Sequence, residues 1–533
     1  MSPTTPTAIP TRASHAGRVV RGAERQGDLV LGCDVVIIGT GAGGAIAAKV
    51  LAERGLDVIC LEEGPHITAR EHGAMRPSES LRHVWRDGGM TVAVGLGDTP
   101  VINVTMGKVV GGSSMVTGGV CLRPPEEVVS RWVHELGLGD LDLSHLDRHL
   151  SIVERLVGVE AVPPSMRSRA VQRFGEGLAK VGGELVSLER NTHGCQGESR
   201  CNFGCPHQAK LSVDLSVLPR AVDHGATIVS DALVEKIRLR GRRAVGVEGR
   251  LGRGHRFVVH ADTVVLAAGA WHDPVVLARS GIRHPDLGRH MTLHPSFRMM
   301  ARFDEPVRGW EGALQSAYSP SFMKDGHTMV ALFVPPGVVA GAMPGIGPEL
   351  ALRTDALQHI AIMGGLLHDE GGGRVWPVPA ALGREPVVTY RMAKADRARL
   401  PEAVRRMAEI YFEAGARECF SPVLGLGPIT PERLKTIDFT KVPGRRYECT
   451  SQHPLGTCRM GTDPKRAVVS PEGRVWDVAG LWVADGSIVP TSLGVNPQIT
   501  VMAMAHRVAE RVADAVSSSR SRRPLDPAAA GSR

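Results

Sequence analysis

Val35-Val36-Ile37-Ile38-Gly39-Thr40-Gly41-Ala42-Gly43-Gly44 joins four β-branched residues to a glycine-rich hexamer. The apolar run is short and uninterrupted, as expected of a parallel strand buried on both faces. Residues 45–52 follow with small residues and good helix formers, and Gly55 stops them. Val58-Ile59-Cys60-Leu61 reads as a second strand, ending at Glu62-Glu63-Gly64. The order is strand, glycine turn, helix, strand, acid, which is the dinucleotide-binding pattern. Gly39 permits the tight turn, Gly41 lets the backbone approach a pyrophosphate, and Gly44 lets helix and strand pack closely. The helix N-terminus adds amide donors and a positive dipole end. Glu62 lies eighteen residues past Gly44, where a ribose-binding acid is expected.

The rest of the chain is consistent with a large soluble body. Its 533 residues correspond to two to four domain equivalents or one interwoven α/β unit. With 43% hydrophobic and 22% charged residues, wholesale disorder, collagen and coiled coil are excluded. No apolar run reaches the ~18 residues of a membrane-spanning helix, so no stable membrane insertion is expected. The net charge of +8 sits mostly at the ends: residues 1–30 carry +2 and residues 517–533 carry +3. Both ends read as disordered, solvated tails, and no nucleic-acid footprint is expected. Residues 1–30 lack an apolar signal segment, so the default compartment is the cytoplasm, with export alongside a partner subunit as the alternative.

A second glycine loop, Gly107-Lys108-Val109-Val110-Gly111-Gly112-Ser113-Ser114, offers further amides and hydroxyls to an extended cofactor. Two later blocks complete a series. One is Gly269-Ala270-Trp271-His272-Asp273-Pro274, running on to Ile282. The other is Ser451-Gln452-His453-Pro454-Leu455-Gly456, followed by Ala484-Asp485-Gly486-Ser487 and Asn496-Pro497-Gln498-Ile499-Thr500. Four blocks in this order, across about residues 34–512, resemble the glucose–methanol–choline (GMC) family of FAD-dependent oxidoreductases. Within it, the C-terminal blocks look closer to bacterial long-chain-alcohol and steroid-type members. The resemblance implies a mixed α/β fold: a Rossmann-like FAD-binding domain (mainly 31–295, completed by 450–516) and an interleaved substrate domain (mainly 296–449) built on an antiparallel sheet. It also implies FAD held at Gly39, Gly41, Gly44, Glu62, Gly107, Gly111, Gly112, Ser113, Thr117, Val234, Asp485, Gly486, Pro497 and Thr500. Thr117 departs from the family, where Asn is common.

Alcohol oxidation by a flavin needs a hydride acceptor, a base for the hydroxyl proton and a group that orients the oxygen. Histidine suits the base because its ordinary pKa lies nearest the working pH. His453 matches the family's catalytic histidine, and Asn496 matches a position that is His or Asn in the family. The expectation is that His453 takes the hydroxyl proton while hydride moves to flavin N5, with Asn496 donating to the substrate oxygen.

Cys195, Cys201 and Cys205 form a C-x5-C-x3-C loop within residues 193–210, interrupted by Gly194, Gly197 and Gly204 and followed by Pro206. Its spacing is similar to the three-iron cluster loop of FAD-dependent glucose dehydrogenases in the same family. A 3Fe-4S or 4Fe-4S cluster here would pass electrons to a protein or quinone acceptor rather than to O₂. Zinc, with His193 or His207 added, is one alternative, and a disulfide or packed thiols another. The other six cysteines read as small buried hydrophobes.

Met299, Met300, Met343, Met363, Phe322, Phe333, Val334, Leu366 and Leu367 fall in the expected substrate region. They read either as ordinary core or as an apolar pocket for a fatty, aromatic, terpenoid or steroid alcohol. Aromatic residues, at 4% of the chain, are too scarce for a typical sugar site. Three readings stand beside apolar-alcohol oxidation: a sugar dehydrogenase with a cluster, a flavin-scaffolded lyase or fatty-acid photodecarboxylase, and a non-catalytic interaction protein.

Overall fold

The computed structural model describes residues 17–378, 383 and 385–521. Two sheets carry the architecture. The first has eight strands, in the order Arg18–Arg21, Thr227–Ser230, Val58–Leu61, Leu29–Ile38, Arg256–Leu266, Arg243–Leu251 and Ala232–Arg240, with Leu481–Val483 also paired to Arg256–Leu266. Its centre is parallel: Val35 pairs with Val58 and with Thr263. Val35, Val36 and Ile37 are fully buried in the main apolar core. The helix Ala42–Glu53 lies on this sheet and is packed by the C-terminal helix Gln498–Ser521.

The second sheet has eleven strands. Its core is the antiparallel set Ser296–Arg302, Ile360–Leu367 and His327–Ala331. It is not wholly antiparallel: Val387–Tyr390 runs parallel to Val92–Gly95, and Cys449–Ser451 runs parallel to Ile102–Val104. These pairings also show that the sheet recruits strands from residues 92–104 and 186–187, well before residue 296. The two bodies are interleaved more finely than the sequence boundaries suggest.

The ends differ from expectation as well. Arg18–Arg21 pair with Thr227–Ser230, and Leu29 already belongs to the central strand, so the chain enters the first sheet before residue 31. The C-terminal helix continues to Ser521, past the expected tail start at 517. The remaining tail residues, 1–16 and 522–533, lie outside the described residues. Among the described residues, no helix is long and apolar enough to cross a membrane.

Candidate active site

The turn after the central strand is built as its glycines require. Gly39 has φ +95°, and a Cβ there would meet the Ala267 carbonyl oxygen at 2.3 Å. Gly41 caps the helix Ala42–Glu53, and a Cβ there would meet the Gly112 Cα at 3.9 Å, an ordinary contact. The tightest contact falls on Gly43, whose Cβ would meet the Ala484 carbonyl oxygen at 1.9 Å. Gly44 packs back on the turn, 2.1 Å from the Gly39 oxygen in the same sense. Glu62 is buried at the end of Val58–Leu61. Its Oε2 accepts from the Thr40 amide (3.0 Å) and hydroxyl (2.7 Å), and its Oε1 from the Gly64 amide (3.0 Å). Burial pushes this carboxyl up, and the bonds from Thr40 oppose it.

A cavity of about 1020 Å³ has walls from both sheets. Of the residues expected at FAD, Gly39, Gly41, Glu62, Gly107, Gly112, Ser113, Thr117, Val234, Asp485, Gly486 and Pro497 line it, together with His453 and Asn496. Three do not. Gly44 stands behind the turn, and Gly111 ties the loops by donating its amide to Thr40 Oγ1 (3.1 Å). Thr500 is buried in the C-terminal helix, which presents Gln498 and Val501 to the cavity instead.

The wall also holds polar atoms that lack a protein partner among the described residues: Trp271 Nε1, Asn103 Oδ1 and Asn202 Oδ1. Buried polar atoms of this kind indicate a site completed by a ligand. With the open amide cradle at residues 41–43 and the acid at Glu62, they fit FAD.

Beneath the cavity lies a pair of buried carboxyls. Asp485 accepts from the Gly269 amide (2.6 Å) and the Ser487 amide (2.8 Å). Asp273 accepts from the Ala268 amide (2.9 Å) and the Ser487 hydroxyl (2.7 Å). Burial, then the Asp485 charge, push the Asp273 carboxyl well above its ordinary range. A second charged group lines the wall: Arg86 pairs with Glu63 and Glu385, and His272 Nε2 lies 3.0 Å from Glu385. Scattered over more than 300 positions, these charges had no local signature in the sequence.

His453 and Asn496 meet at the cavity wall, with Asn496 Nδ2 3.3 Å from His453 Nε2. Asn496-Pro497 immediately precedes the C-terminal helix, and the Pro497 carbonyl accepts from the Val501 amide (2.9 Å). The other His453 nitrogen, Nδ1, lies 3.3 Å from Nδ1 of His294, which sequence reasoning did not single out. Strand register unites these histidines: Ser296, just past His294, pairs with Thr450, just before His453. His453 donates its amide to Ser451 Oγ (3.0 Å), and that hydroxyl donates to the Leu293 carbonyl. Burial, then the His294 ring, hold the His453 pKa well below its ordinary value, so the ring is neutral at pH 7.

The three cysteines of the loop stand off the cavity. All nine cysteines are free. None of Cys195, Cys201 and Cys205 lines the cavity; the loop presents Asn202 and Phe203 to it. Cys201 Sγ accepts from Arg190 Nη2 (3.0 Å), and Cys205 Sγ accepts from the Ala209 amide (3.3 Å). The glycines serve chain packing: a Cβ on Gly204 would meet the His72 carbonyl oxygen at 2.2 Å, and one on Gly197 the Gly312 Cα at 3.0 Å. Nor do these thiols gather for zinc. Among the described residues, the triad with ligand atoms close enough for one ion is His149, His506 and Glu510. That triad is self-satisfied, with the two Nδ1 atoms 2.9 Å apart and Arg148 holding both Glu510 oxygens.

Comparison with known proteins agrees with this architecture. GMC oxidoreductase family profiles match residues 36–296 and 382–505. An uncharacterized GMC-type oxidoreductase of Mycobacterium tuberculosis is 38% identical over 482 residues, 90% of this chain and 75% of the relative. A long-chain-alcohol oxidase of Arabidopsis thaliana is 27% identical over 537 residues, 93% and 69% of the two chains. The crystal structure of pyridoxine 4-oxidase from Mesorbium loti superposes with a TM-score of 0.69 at 21% identity, covering 90% of this chain and 99% of that one. The chain belongs to the GMC oxidoreductase family and is an oxidoreductase. FAD is the cofactor the family implies.

Proposed function

We propose that the protein is an FAD-dependent oxidoreductase that converts an apolar alcohol to its aldehyde or ketone. The observation that carries this is one shared cavity: His453 and Asn496 stand in the same space as the dinucleotide turn, facing an apolar wall. That wall includes Val330, Leu332, Val334, Val338, Val339, Ile362 and Leu366. Of the apolar residues singled out in the sequence, Met300, Val334 and Leu366 line it; Met299, Met343, Met363, Phe322, Phe333 and Leu367 are core.

FAD, when bound, supplies the two-electron acceptor. The residues of the chain do the rest. His453 and Asn496 hold the reacting oxygen, and the apolar wall seats the substrate's hydrocarbon part and excludes water. The name of the Arabidopsis relative, a long-chain-alcohol oxidase, supports the same substrate class.

A chain-length series tests the reading. With FAD-loaded protein and primary alcohols of increasing length, kcat/KM should rise roughly three- to fourfold per added methylene until the pocket is full, from about 0.8 kcal/mol per buried CH₂. A flat series, or a preference for glucose, would overturn it.

A further inference from the structure

Gly112, Ser113 and Ser114 open the short helix Gly112–Val116 and, with Thr117, Gly118 and Gly119, form one wall of the cavity. The last carbonyls of a helix have no partner within it. Here each carbonyl from Ser114 to Gly118 is held by a side chain from outside that stretch. Lys210 Nζ donates to those of Ser114 (3.1 Å), Met115 (2.7 Å) and Thr117 (3.1 Å). Asn202 Nδ2 donates to that of Val116 (2.9 Å), and Arg190 Nε to that of Gly118 (2.8 Å). All three donors come from residues 190–210, the segment that holds the cysteine loop. Lys210 ties that loop in with a fourth bond, to the Cys201 carbonyl (3.0 Å).

Two of the three donors are buried cations, with Lys210 4% exposed and Arg190 fully covered. Among the described residues neither forms a salt bridge, and Arg190 Nη1 has no hydrogen-bond partner. Burying such charges is costly, and here carbonyl dipoles of the wall offset the cost. The contacts also fix the protonation of Lys210. A neutral amine would turn a lone pair on one of four acceptors, so the geometry calls for the ammonium. Burial pushes its pKa down to about 8, which keeps the ammonium the major form at neutral pH. The negative end of the short helix favours the same charge.

We infer that Lys210 is a positioning residue for the cofactor: its ammonium, with Arg190, fixes the wall Ser114–Gly118 in the shape that FAD requires, and the cysteine loop carries this clamp. Cys201 belongs to it through its carbonyl on Lys210 and its Sγ on Arg190. The Asn202 amide completes it, with Oδ1 left at the cavity.

The inference rests on FAD as the occupant of the cavity and is independent of the substrate. The test dilutes the FAD-loaded full chain and reads released flavin by fluorescence, which gives the Kd, with melting temperatures measured alongside. Lys210→Met should raise the Kd at least roughly tenfold, as for loss of hydrogen bonds from a charged group. Lys210→Ala leaves room for a small cation. Added methylammonium should restore most of its lost affinity, and tetramethylammonium, which has no N–H, should not. A lysine that serves stability alone predicts a lower melting temperature with an unchanged Kd. That pattern overturns the inference, as does rescue by neither cation or by both alike. If neither Lys210 variant folds, Arg190→Gln, which loosens the hold on the Gly118 carbonyl, should raise the Kd in the same way, and an unchanged Kd there overturns it. A wild-type chain that binds no FAD fails the cofactor reading and this inference together. Weakened FAD binding in Lys210→Met, rescued as described, in a protein that oxidises no alcohol fails the alcohol reading alone.

Discussion

A Cβ on Gly112 would meet the Cα of Gly41 at 2.7 Å, so the two glycine loops touch backbone to backbone. Gly112 also has φ +54°. Gly112→Ala must therefore part the loops and strain the turn, at a cost of ~2 kcal/mol or more. The purified variant should carry little FAD and melt at a lower temperature. Full flavin content with an unchanged melting temperature would show that the contact is slack.

Glu62 receives three hydrogen bonds from Thr40 and Gly64 at the end of the second strand. Glu62→Ala removes the acceptor and leaves those donors unpaired. The Kd for FAD, read by flavin fluorescence, should rise roughly 10- to 100-fold, the worth of hydrogen bonds to a charged group. Glu62→Gln should lose less. Equal affinity in all three proteins would remove Glu62 from the cofactor site.

The cysteine loop should hold no metal. Iron and acid-labile sulfide assays on anaerobically purified protein should find no stoichiometric iron, and Cys195→Ser should leave flavin content unchanged. Three or four irons per chain would restore the cluster reading and point to a protein or quinone acceptor.

Several buried histidines make the fold acid-labile. Burial pushes His72 and His294 down to about 3, and His149 and His368 down to about 4. In the unfolded chain each titrates near its ordinary 6.5. Between those values the unfolded state binds more protons, so stability is present above about pH 6.5 and falls as pH drops toward 4. The melting temperature should be level above pH 7 and decline from pH 6.5 downward. A level melting temperature from pH 7 to pH 5 would contradict these shifts.

Residues 35–64 were legible because a local pattern, strand and turn and helix, carries its own chemistry. The family blocks extended that reading to His453, Asn496 and eleven of the fourteen expected cofactor residues as lining of the cavity. What escaped was non-local. His294 is one of 21 histidines, and its importance comes from strand pairing between Ser296 and Thr450, more than 150 residues apart. Gly197 and Gly204 were ambiguous for a related reason: a glycine that wraps a cluster and one that admits a neighbouring backbone look alike in sequence. Arg18–Arg21 were read as tail because four residues that complete a sheet edge have no periodicity of their own.

The most direct test is anaerobic addition of a long-chain primary alcohol to the FAD-loaded protein, followed by absorption spectroscopy. The expected result is full bleaching of the oxidised-flavin band with one aldehyde formed per flavin, and bleaching slowed at least roughly 100-fold in His453→Ala, as for loss of a group at the reacting oxygen. A flavin that stays bound and oxidised with every apolar alcohol would contradict the proposed function.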